Sequence, residues 1–101
     1  MNTSPGMTFG EAVQVMSKGH RVARAGWNGK GMFIYLVKGQ EIPYDSLRGE
    51  AATALSTTPR NYKNTVRINP HIDMYAADGS IVVGWLASQT DMLATDWLIV
   101  E

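Results

Sequence analysis

The run MFIYLV, from Met32 to Val37, constrains the fold more than any other stretch of the chain. Successive side chains of a strand point to opposite faces, and here both alternating sets are apolar or aromatic. A strand with two apolar faces has to be covered on both sides. We therefore predict a buried strand, covered by a helix on one face and by another subunit on the other. This pattern favours an oligomer.

A short amphipathic helix is predicted upstream of that strand. Thr8 and Glu11 have the spacing of a capping box at a helix start. Apolar residues then recur at helical spacing from Phe9 to Met16, which predicts one apolar helix face. Gly19 is expected to end the helix.

The second half of the chain contains a hairpin signal and a second helix start. Asp78-Gly79 predicts a tight turn between two antiparallel strands. Ser88 and Asp91 have N-cap spacing and predict a short helix over residues 90–94. The predicted strands cover residues 21–24, 32–37, 71–76, 80–85 and 97–100.

Residues 39–70 have no sustained hydrophobic period, three prolines and one possible helical turn at residues 50–55. Long irregular segments in compact domains are commonly functional or mobile, so we interpret this one as a flap or an oligomer arm. A chain of 101 residues has the usual size of one domain. The prediction is a single α+β domain, residues 1–101, with an antiparallel sheet, an N-terminal helix packed on it, a short C-terminal helical turn and an irregular insert at about 39–70.

Composition excludes several classes of protein. Hydrophobic residues make up 45% and charged residues 18% of the chain, as in folded globular proteins. The sequence has no cysteine, which excludes a disulfide framework and thiolate metal sites and favours a reducing cytoplasm. We expect no secretory leader in MNTSPGMTFG and no membrane span. A net charge of zero argues against a protein that binds DNA or RNA through many phosphate contacts.

Charges of opposite sign are concentrated in different parts of the chain. Between residues 12 and 40 all charged side chains are basic, and from residue 71 to the end all are acidic. Either the two groups neutralise each other in one sheet or across a subunit contact, or the basic one forms a small recess for phosphate. The residues concerned are Lys18, Arg21, Arg24, Lys30 and Lys38 on the basic side, and Asp73, Asp78, Asp91, Asp96 and Glu101 on the acidic side.

The sequence lacks the common catalytic motifs. It contains no nucleophile elbow and no phosphate-binding loop motif. His20 and His71 have no neighbour at metal-ligand spacing, so we expect no metal site and no cofactor. Asp78 and Asp91 are explained by a turn and a helix cap.

The turn GWNGKGMF, Gly26 to Phe33, carries the residues best suited to binding. An indole such as that of Trp27 can stack on a nucleobase, which contributes about 1–3 kcal/mol. Asn28 offers a directional amide, and Lys30 offers a phosphate partner. The alternative is a turn whose tryptophan fills a hydrophobic gap.

A second candidate surface is SQTDM, Ser88 to Met92. Asp91 would repel a phosphate, so a ribose hydroxyl is its more plausible partner. Ser88, Gln89 and Thr90 offer further short hydrogen bonds. Plain helix capping accounts for Ser88 and Asp91 but leaves Gln89 unexplained.

Two long strings of the sequence resemble a known family. TFGEAVQVMSKGHRVARAGWNGKGMF near the start and MYAADGSIVVGWLASQTDMLATDWLIV at the end are similar to small phage proteins of the second Thoeris anti-defence type, the nucleotide sponges. The most specific motifs are WNGKGM and WLASQTDMLATDW. The resemblance covers about half of the chain and leaves residues 39–70 unmatched.

The resemblance implies a function without catalysis. Proteins of this family bind glycocyclic ADP-ribose, the signal that the TIR-domain enzyme of the bacterial Thoeris system makes, and hold it intact in the cytoplasm of the infected host. It further implies a homotetramer with ligand pockets at subunit contacts. For some members it implies binding of cyclic trinucleotides of the related CBASS systems at a separate site.

The implied pocket draws on both strings. Trp27 would stack on adenine, Arg24 and Lys30 would contact the pyrophosphate, and Asp91 with Ser88 or Thr90 would hold ribose hydroxyls. The full implied set of ligand-binding residues is Arg24, Trp27, Asn28, Lys30, Met32, Trp85, Ser88, Gln89, Thr90, Asp91 and Met92.

Two other hypotheses remain open from the sequence. The chain could be a small enzyme that cleaves a cyclic nucleotide signal, with Asp91 and His71 as acid and base. It could also be a structural phage protein whose tryptophans form an oligomer interface and that has no affinity for nucleotides.

Overall fold

The computed structural model describes residues 6–101, which form two compact units. The main unit comprises residues 6–37 and 71–101, and the hairpin unit comprises residues 38–70. The elements in chain order are α1 (Phe9–Ser17), β1 (Arg21–Arg24), β2 (Phe33–Val37), β3 (Gln40–Pro43), a 3-10 turn (Tyr44–Ser46), α2 (Gly49–Ala54), β4 (Thr65–Ile68), β5 (His71–Tyr75), β6 (Ile81–Val82), α3 (Gln89–Leu93) and β7 (Trp97–Val100). The predicted α+β class is confirmed.

The main unit is built on one antiparallel sheet with the strand order β6-β5-β2-β1-β7. The apolar strand β2 lies at its centre, with Ile34 opposite Met74 of β5 and Val22 of β1. Ile34 is fully buried. On the other face of β2, the Phe33 ring stacks on Tyr75 at 5.2 Å between centroids. The centre of the sheet is therefore apolar on one face and aromatic on the other.

Helix α1 packs on this sheet and completes the core. Thr8 and Glu11 form the predicted capping box, in which each side chain accepts a hydrogen bond from the backbone N–H of the other. Gly19 follows the helix with a φ of +100°, which explains a glycine at that place. The core consists of Ala12, Met16, Val22, Ile34, Met74 and Trp97.

The predicted hairpin is confirmed, but its second strand is shorter than predicted. Asp78 accepts hydrogen bonds from the backbone N–H and hydroxyl of Ser80, and β5 pairs with β6. The prediction of a strand over residues 80–85 is wrong beyond Val82 because Gly84 takes a φ of +75° and turns the chain. Asp73 fixes that turn by accepting the Gly84 N–H at 3.0 Å.

Residues 38–70 contain more regular structure than the sequence predicts. Strands β3 and β4 form an antiparallel pair of their own, and α2 confirms the predicted helical turn. β3 has a single partly buried residue, Ile42, and ends at Pro43, so its sequence shows no alternation of apolar and polar residues. Among the helices of residues 6–101, none has the length and hydropathy that crossing a bilayer requires.

Candidate ligand-binding site

The predicted ligand residues lie in two stretches of the main unit. Arg24 ends β1, and Trp27, Asn28 and Lys30 follow in the loop to β2, with Met32 just before that strand. Trp85 lies in the loop after β6, Ser88 is the N-cap of α3, and the remaining four residues belong to α3: Gln89, Thr90, Asp91 and Met92.

Asp91 connects the two stretches directly. Its Oδ1 accepts hydrogen bonds from Nη1 of Arg24 at 2.9 Å and from Nε1 of Trp27 at 3.2 Å. Its Oδ2 accepts the backbone N–H of Ser88 at 3.2 Å, which completes the cap of α3. Its side chain is 14% exposed. A single carboxylate thus holds the end of β1, the loop tryptophan and the first turn of α3 together.

Three tryptophans pack beside this carboxylate and form the tryptophan cluster: Trp27, Trp85 and Trp97. The ring centroid of Trp27 lies 5.3 Å from that of Trp97 and 6.1 Å from that of Trp85, both with edge-on geometry. Trp97 is fully buried and donates its Nε1–H to the carbonyl oxygen of Asp91 at 3.0 Å. Trp27 and Trp85 are half-buried. Part of the Trp27 indole therefore fills a gap in its own chain, as the packing alternative predicts.

Arg24 lies between two carboxylates. Its Nε donates to Asp96 Oδ1 at 2.9 Å, in addition to the bond from Nη1 to Asp91. Asp96 also accepts the backbone N–H of Gly26 through Oδ2 at 2.8 Å. Of the alternatives left open by the sequence, Arg24 fits neutralisation of the basic part by the acidic part, with both aspartates supplied by the same chain. Its role in binding pyrophosphate stays a prediction, and in this arrangement the guanidinium already has two anionic partners.

These contacts shift the pKa values of all three groups. For Asp91, burial raises the pKa, but the hydrogen bonds from Arg24, Trp27 and Ser88 outweigh burial and leave the pKa below its ordinary value of 3.8. The Arg24 hydrogen bond is the main cause that lowers the pKa of Asp96. The same bond to Asp96, followed by the bond to Asp91, raises the pKa of Arg24. Both aspartates are therefore ionised at neutral pH.

Acid is expected to destabilise the protein through these two aspartates. A carboxylate whose pKa is lower in the folded than in the unfolded state contributes stability above its unfolded pKa. That contribution declines as the pH falls from the ordinary value of 3.8 through the lower folded pKa. Urea unfolding from pH 7 down to pH 3 should show this decline, and Asp96→Asn should make it shallower. An Asp96→Asn variant that keeps the wild-type slope would contradict this explanation.

The presence of each glycine in GWNGKGMF is explained by a different local constraint. A Cβ at Gly26 would lie 2.9 Å from Asp96 Oδ2, and a Cβ at Gly29 would overlap Met32 Sδ. Gly31 has a φ of +78°, which glycine adopts without strain. Gly26 and Gly29 thus permit close packing, and Gly31 permits the turn into β2.

The other predicted residues of the two stretches face solvent. Asn28 and Lys30 are exposed on the loop, and Gln89, Thr90 and Met92 are exposed on α3. Met32 is partly buried and packs against the core. The structure thus brings together Arg24, Trp27, Trp85, Ser88 and Asp91, and leaves the other polar candidates on the surface around them.

Sequence reasoning did not include Trp97 and Asp96 among the site residues. Both anchor members of the predicted set, since Trp97 packs on Trp27 and Asp96 holds Arg24. Both belong to the motif WLASQTDMLATDW, and the pair Asp-Trp at the start of the last strand was the available signal. His71, the base of the enzyme hypothesis, has its Nε2 3.5 Å from Asp73 Oδ1. In residues 6–101, no three acidic, histidine or cysteine side chains cluster as a metal would require.

Comparison with known proteins gives two consistent matches. The family model described as "Thoeris anti-defense 2-like domain" matches residues 7–100. A protein of Bacillus phage SP01 described as "Thoeris anti-defense 2" is 38% identical over 95 residues, which cover 94% of this chain and 96% of the relative. Both matches include the loop after β1 and helix α3, and they span the insert that the motif resemblance left unmatched. The chain belongs to the Thoeris anti-defense 2-like family.

Proposed function

We propose that this protein is a phage anti-defence protein that binds glycocyclic ADP-ribose and holds it without cleaving it, so that the Thoeris effector is not activated. It would act in the cytoplasm of the infected bacterium. The observation that carries the proposal is that Asp91 joins the two stretches from which the family resemblance builds a ligand pocket. Trp27 and Asp91, which this hydrogen bond joins, lie 64 positions apart in the chain.

The chemistry around Asp91 suits a nucleotide that carries a base, ribose hydroxyls and pyrophosphate. The half-buried indoles of Trp27 and Trp85 offer apolar surface for a base. The exposed ammonium of Lys30 offers a cation for phosphate. Ser88 and Thr90 offer hydroxyls at the surface of α3. A site of this composition can hold the ligand by stacking, charge and directional hydrogen bonds.

The state of the acidic groups supports sequestration rather than cleavage. A general acid or base works best with a pKa near the operating pH. Asp91 has a lowered pKa and three hydrogen-bond donors, which suits a structural anion better than a proton carrier. The imidazole of His71, the other member of the enzyme hypothesis, lies beside Asp73, with 3.5 Å between Nε2 and Oδ1.

An assembly of several copies is part of the proposal. The segment from β6 to α3 exposes large apolar side chains, with Leu86 exposed by 88%, Leu93 by 79% and Val83 by 70%. Apolar surface of this kind on one segment is typical of protein contacts. The same segment carries Trp85, Ser88 and Asp91, so a second copy packed on it would close the pocket. We propose the homotetramer that the resemblance implies.

Two variants should separate the pocket from the subunit contact. Leu93→Asp places a charge in the proposed contact and is expected to reduce the assembly to smaller species in gel filtration with light scattering. Trp27→Ala is expected to abolish ligand binding while the tetramer remains. If Trp27→Ala dissociated the tetramer while Leu93→Asp left it intact, the structural hypothesis would be favoured, because in that hypothesis the tryptophans form the interface.

The direct test of the proposed function is a stoichiometry experiment. The purified protein is titrated into a fixed amount of glycocyclic ADP-ribose, and free ligand is measured by chromatography over time. Sequestration predicts a loss of free ligand that is proportional to protein and constant in time. Continued loss at a small molar fraction of protein would mean turnover and would support the cleaving enzyme.

A second ligand class follows from the resemblance. We propose that the protein also binds cyclic trinucleotides of CBASS systems at a separate site. Saturating one ligand should then leave the affinity for the other unchanged in a competition titration. Mutual displacement would place both ligands at one site.

A further inference from the structure

The hairpin unit contains a cavity of about 450 Å³. This volume lies within the range of pockets that hold small ligands. None of its lining residues belongs to the site around Asp91. They are Gly39, Gln40, Glu41, Lys63, Arg67 and Pro70.

The backbone fixes both basic residues of this cavity. Arg67 is part of β4 and lies opposite Glu41 of β3. Lys63 precedes β4 in a loop that Asn61 closes, since the Asn61 side chain accepts the Thr65 N–H at 3.0 Å and donates to the Thr65 carbonyl oxygen at 2.9 Å. Both cations therefore start from an ordered backbone, which lowers the entropy cost of holding a ligand.

The two cations have no anionic partner within the described part of the chain. Arg24 and Arg60 form ion pairs with aspartates, whereas no such pair includes Lys63 or Arg67. The one carboxylate among the lining residues is that of Glu41, and it accepts the Thr65 hydroxyl at 3.4 Å. Two positive charges and one negative charge leave a surplus of positive charge in the cavity.

Gly39 shapes one end of this cavity. A Cβ at this position would lie 2.6 Å from the carbonyl oxygen of Ile68 and 2.8 Å from Cδ of Pro70. Only glycine allows the start of β3 to lie this close to the end of β4. The close contact brings Gln40 and Pro70 into the same lining.

We infer that this cavity binds a phosphorylated small molecule through Lys63 and Arg67. The guanidinium fork matches two phosphate oxygens, and the ammonium adds a movable point charge. The amide of Gln40 can donate to a further oxygen. This site is distinct from the proposed glycocyclic ADP-ribose site around Asp91, because all of its lining residues belong to the hairpin unit and none belongs to that site.

The test is isothermal titration calorimetry of the full chain with two probes, inorganic pyrophosphate and ADP, without divalent metal and at low salt. Saturable binding of either probe is expected. Equal affinities would mean that the phosphate groups alone are recognised, and tighter binding of ADP would mean that the nucleoside contributes. Absence of binding by both probes would overturn the inference.

Four charge variants locate the binding. Lys63→Gln and Arg67→Gln should each weaken it about tenfold, the usual effect of losing one charged hydrogen bond. Glu41→Gln should strengthen it about two- to fivefold because it removes a repelling carboxylate. Lys18→Gln makes the same charge change at an exposed residue of the main unit and should have no effect. Wild-type affinity in both Lys63→Gln and Arg67→Gln would overturn the inference.

Failure of this inference can be distinguished from failure of the sequestration proposal. Lys63→Gln and Arg67→Gln should retain wild-type binding of glycocyclic ADP-ribose and a wild-type thermal unfolding curve. Loss of that binding in either variant would contradict an independent site.

Discussion

Trp97→Ala is expected to lower the free energy of unfolding by about 3–5 kcal/mol, the usual effect of truncating a buried tryptophan. Trp97 is fully buried and contacts the rings of Phe9, Trp27 and Trp85. It also donates a hydrogen bond to the Asp91 carbonyl, so its loss removes packing and a polar contact together. Chemical unfolding followed by circular dichroism measures the change.

A second variant separates the hydrogen bond of Trp97 from its packing, and a third is a control at an exposed aromatic residue. Trp97→Phe keeps a ring in the cluster but leaves the Asp91 carbonyl without its donor, and it should cost about 1–3 kcal/mol. Tyr62→Ala truncates an aromatic residue that is 94% exposed and should have almost no effect. If Trp97→Ala unfolded like Tyr62→Ala, the tryptophan cluster would not be part of the stabilising core.

Asp91→Ala is expected to affect both stability and ligand binding. The variant leaves the guanidinium of Arg24, the indole N–H of Trp27 and the N-cap of α3 with one partner fewer each. Loss of such a mostly buried charged group costs about 2–4 kcal/mol. Release of the Trp27 indole should also weaken binding of the cyclic nucleotide about 5- to 150-fold, the range for one stacked base.

The control for Asp91 is a carboxylate in the hairpin unit. Asp45 forms an exposed ion pair with Arg60 at 3.3 Å. Asp45→Ala changes the net charge equally but should cost less than about 1 kcal/mol, as exposed pairs do, and should leave ligand binding unchanged. Asp91→Asn keeps the size of the side chain. Its loss of stability and of ligand affinity should lie between those of Asp91→Ala and Asp45→Ala. Unchanged ligand affinity in Asp91→Ala would separate Asp91 from the pocket.

Most of the main unit could be predicted from local sequence patterns. The capping boxes at Thr8 and Ser88, the apolar strand β2 and the Asp78-Gly79 turn each act over a few residues, so the sequence displays them. The end of β6 could not be predicted because it depends on Gly84 and on its contact with Asp73, eleven residues earlier. The pair β3 and β4 was missed because β3, in which only Ile42 is partly buried and Pro43 is the last residue, shows no alternation of apolar and polar residues.

Only part of the candidate site could be predicted, because the contacts that join its residues depend on the tertiary structure. Residue type and the family motif indicated Trp27 and Asp91 separately, but the hydrogen bond between them depends on the tertiary structure. The sequence also left open whether Trp27 packs or binds. In the structure it packs against Trp97 on one side and remains half-exposed. Asp96 was missed because its role depends on strand pairing, which places the end of β1 beside the start of β7.

The most direct test of sequestration is recovery of the bound nucleotide. The protein is saturated with glycocyclic ADP-ribose, freed of unbound ligand by gel filtration and denatured by heat, and the released material is identified by chromatography and mass spectrometry. We expect intact glycocyclic ADP-ribose in a fixed molar ratio to protein, and none from Trp27→Ala. Release of a linear or hydrolysed product, or of no nucleotide at all, would contradict it.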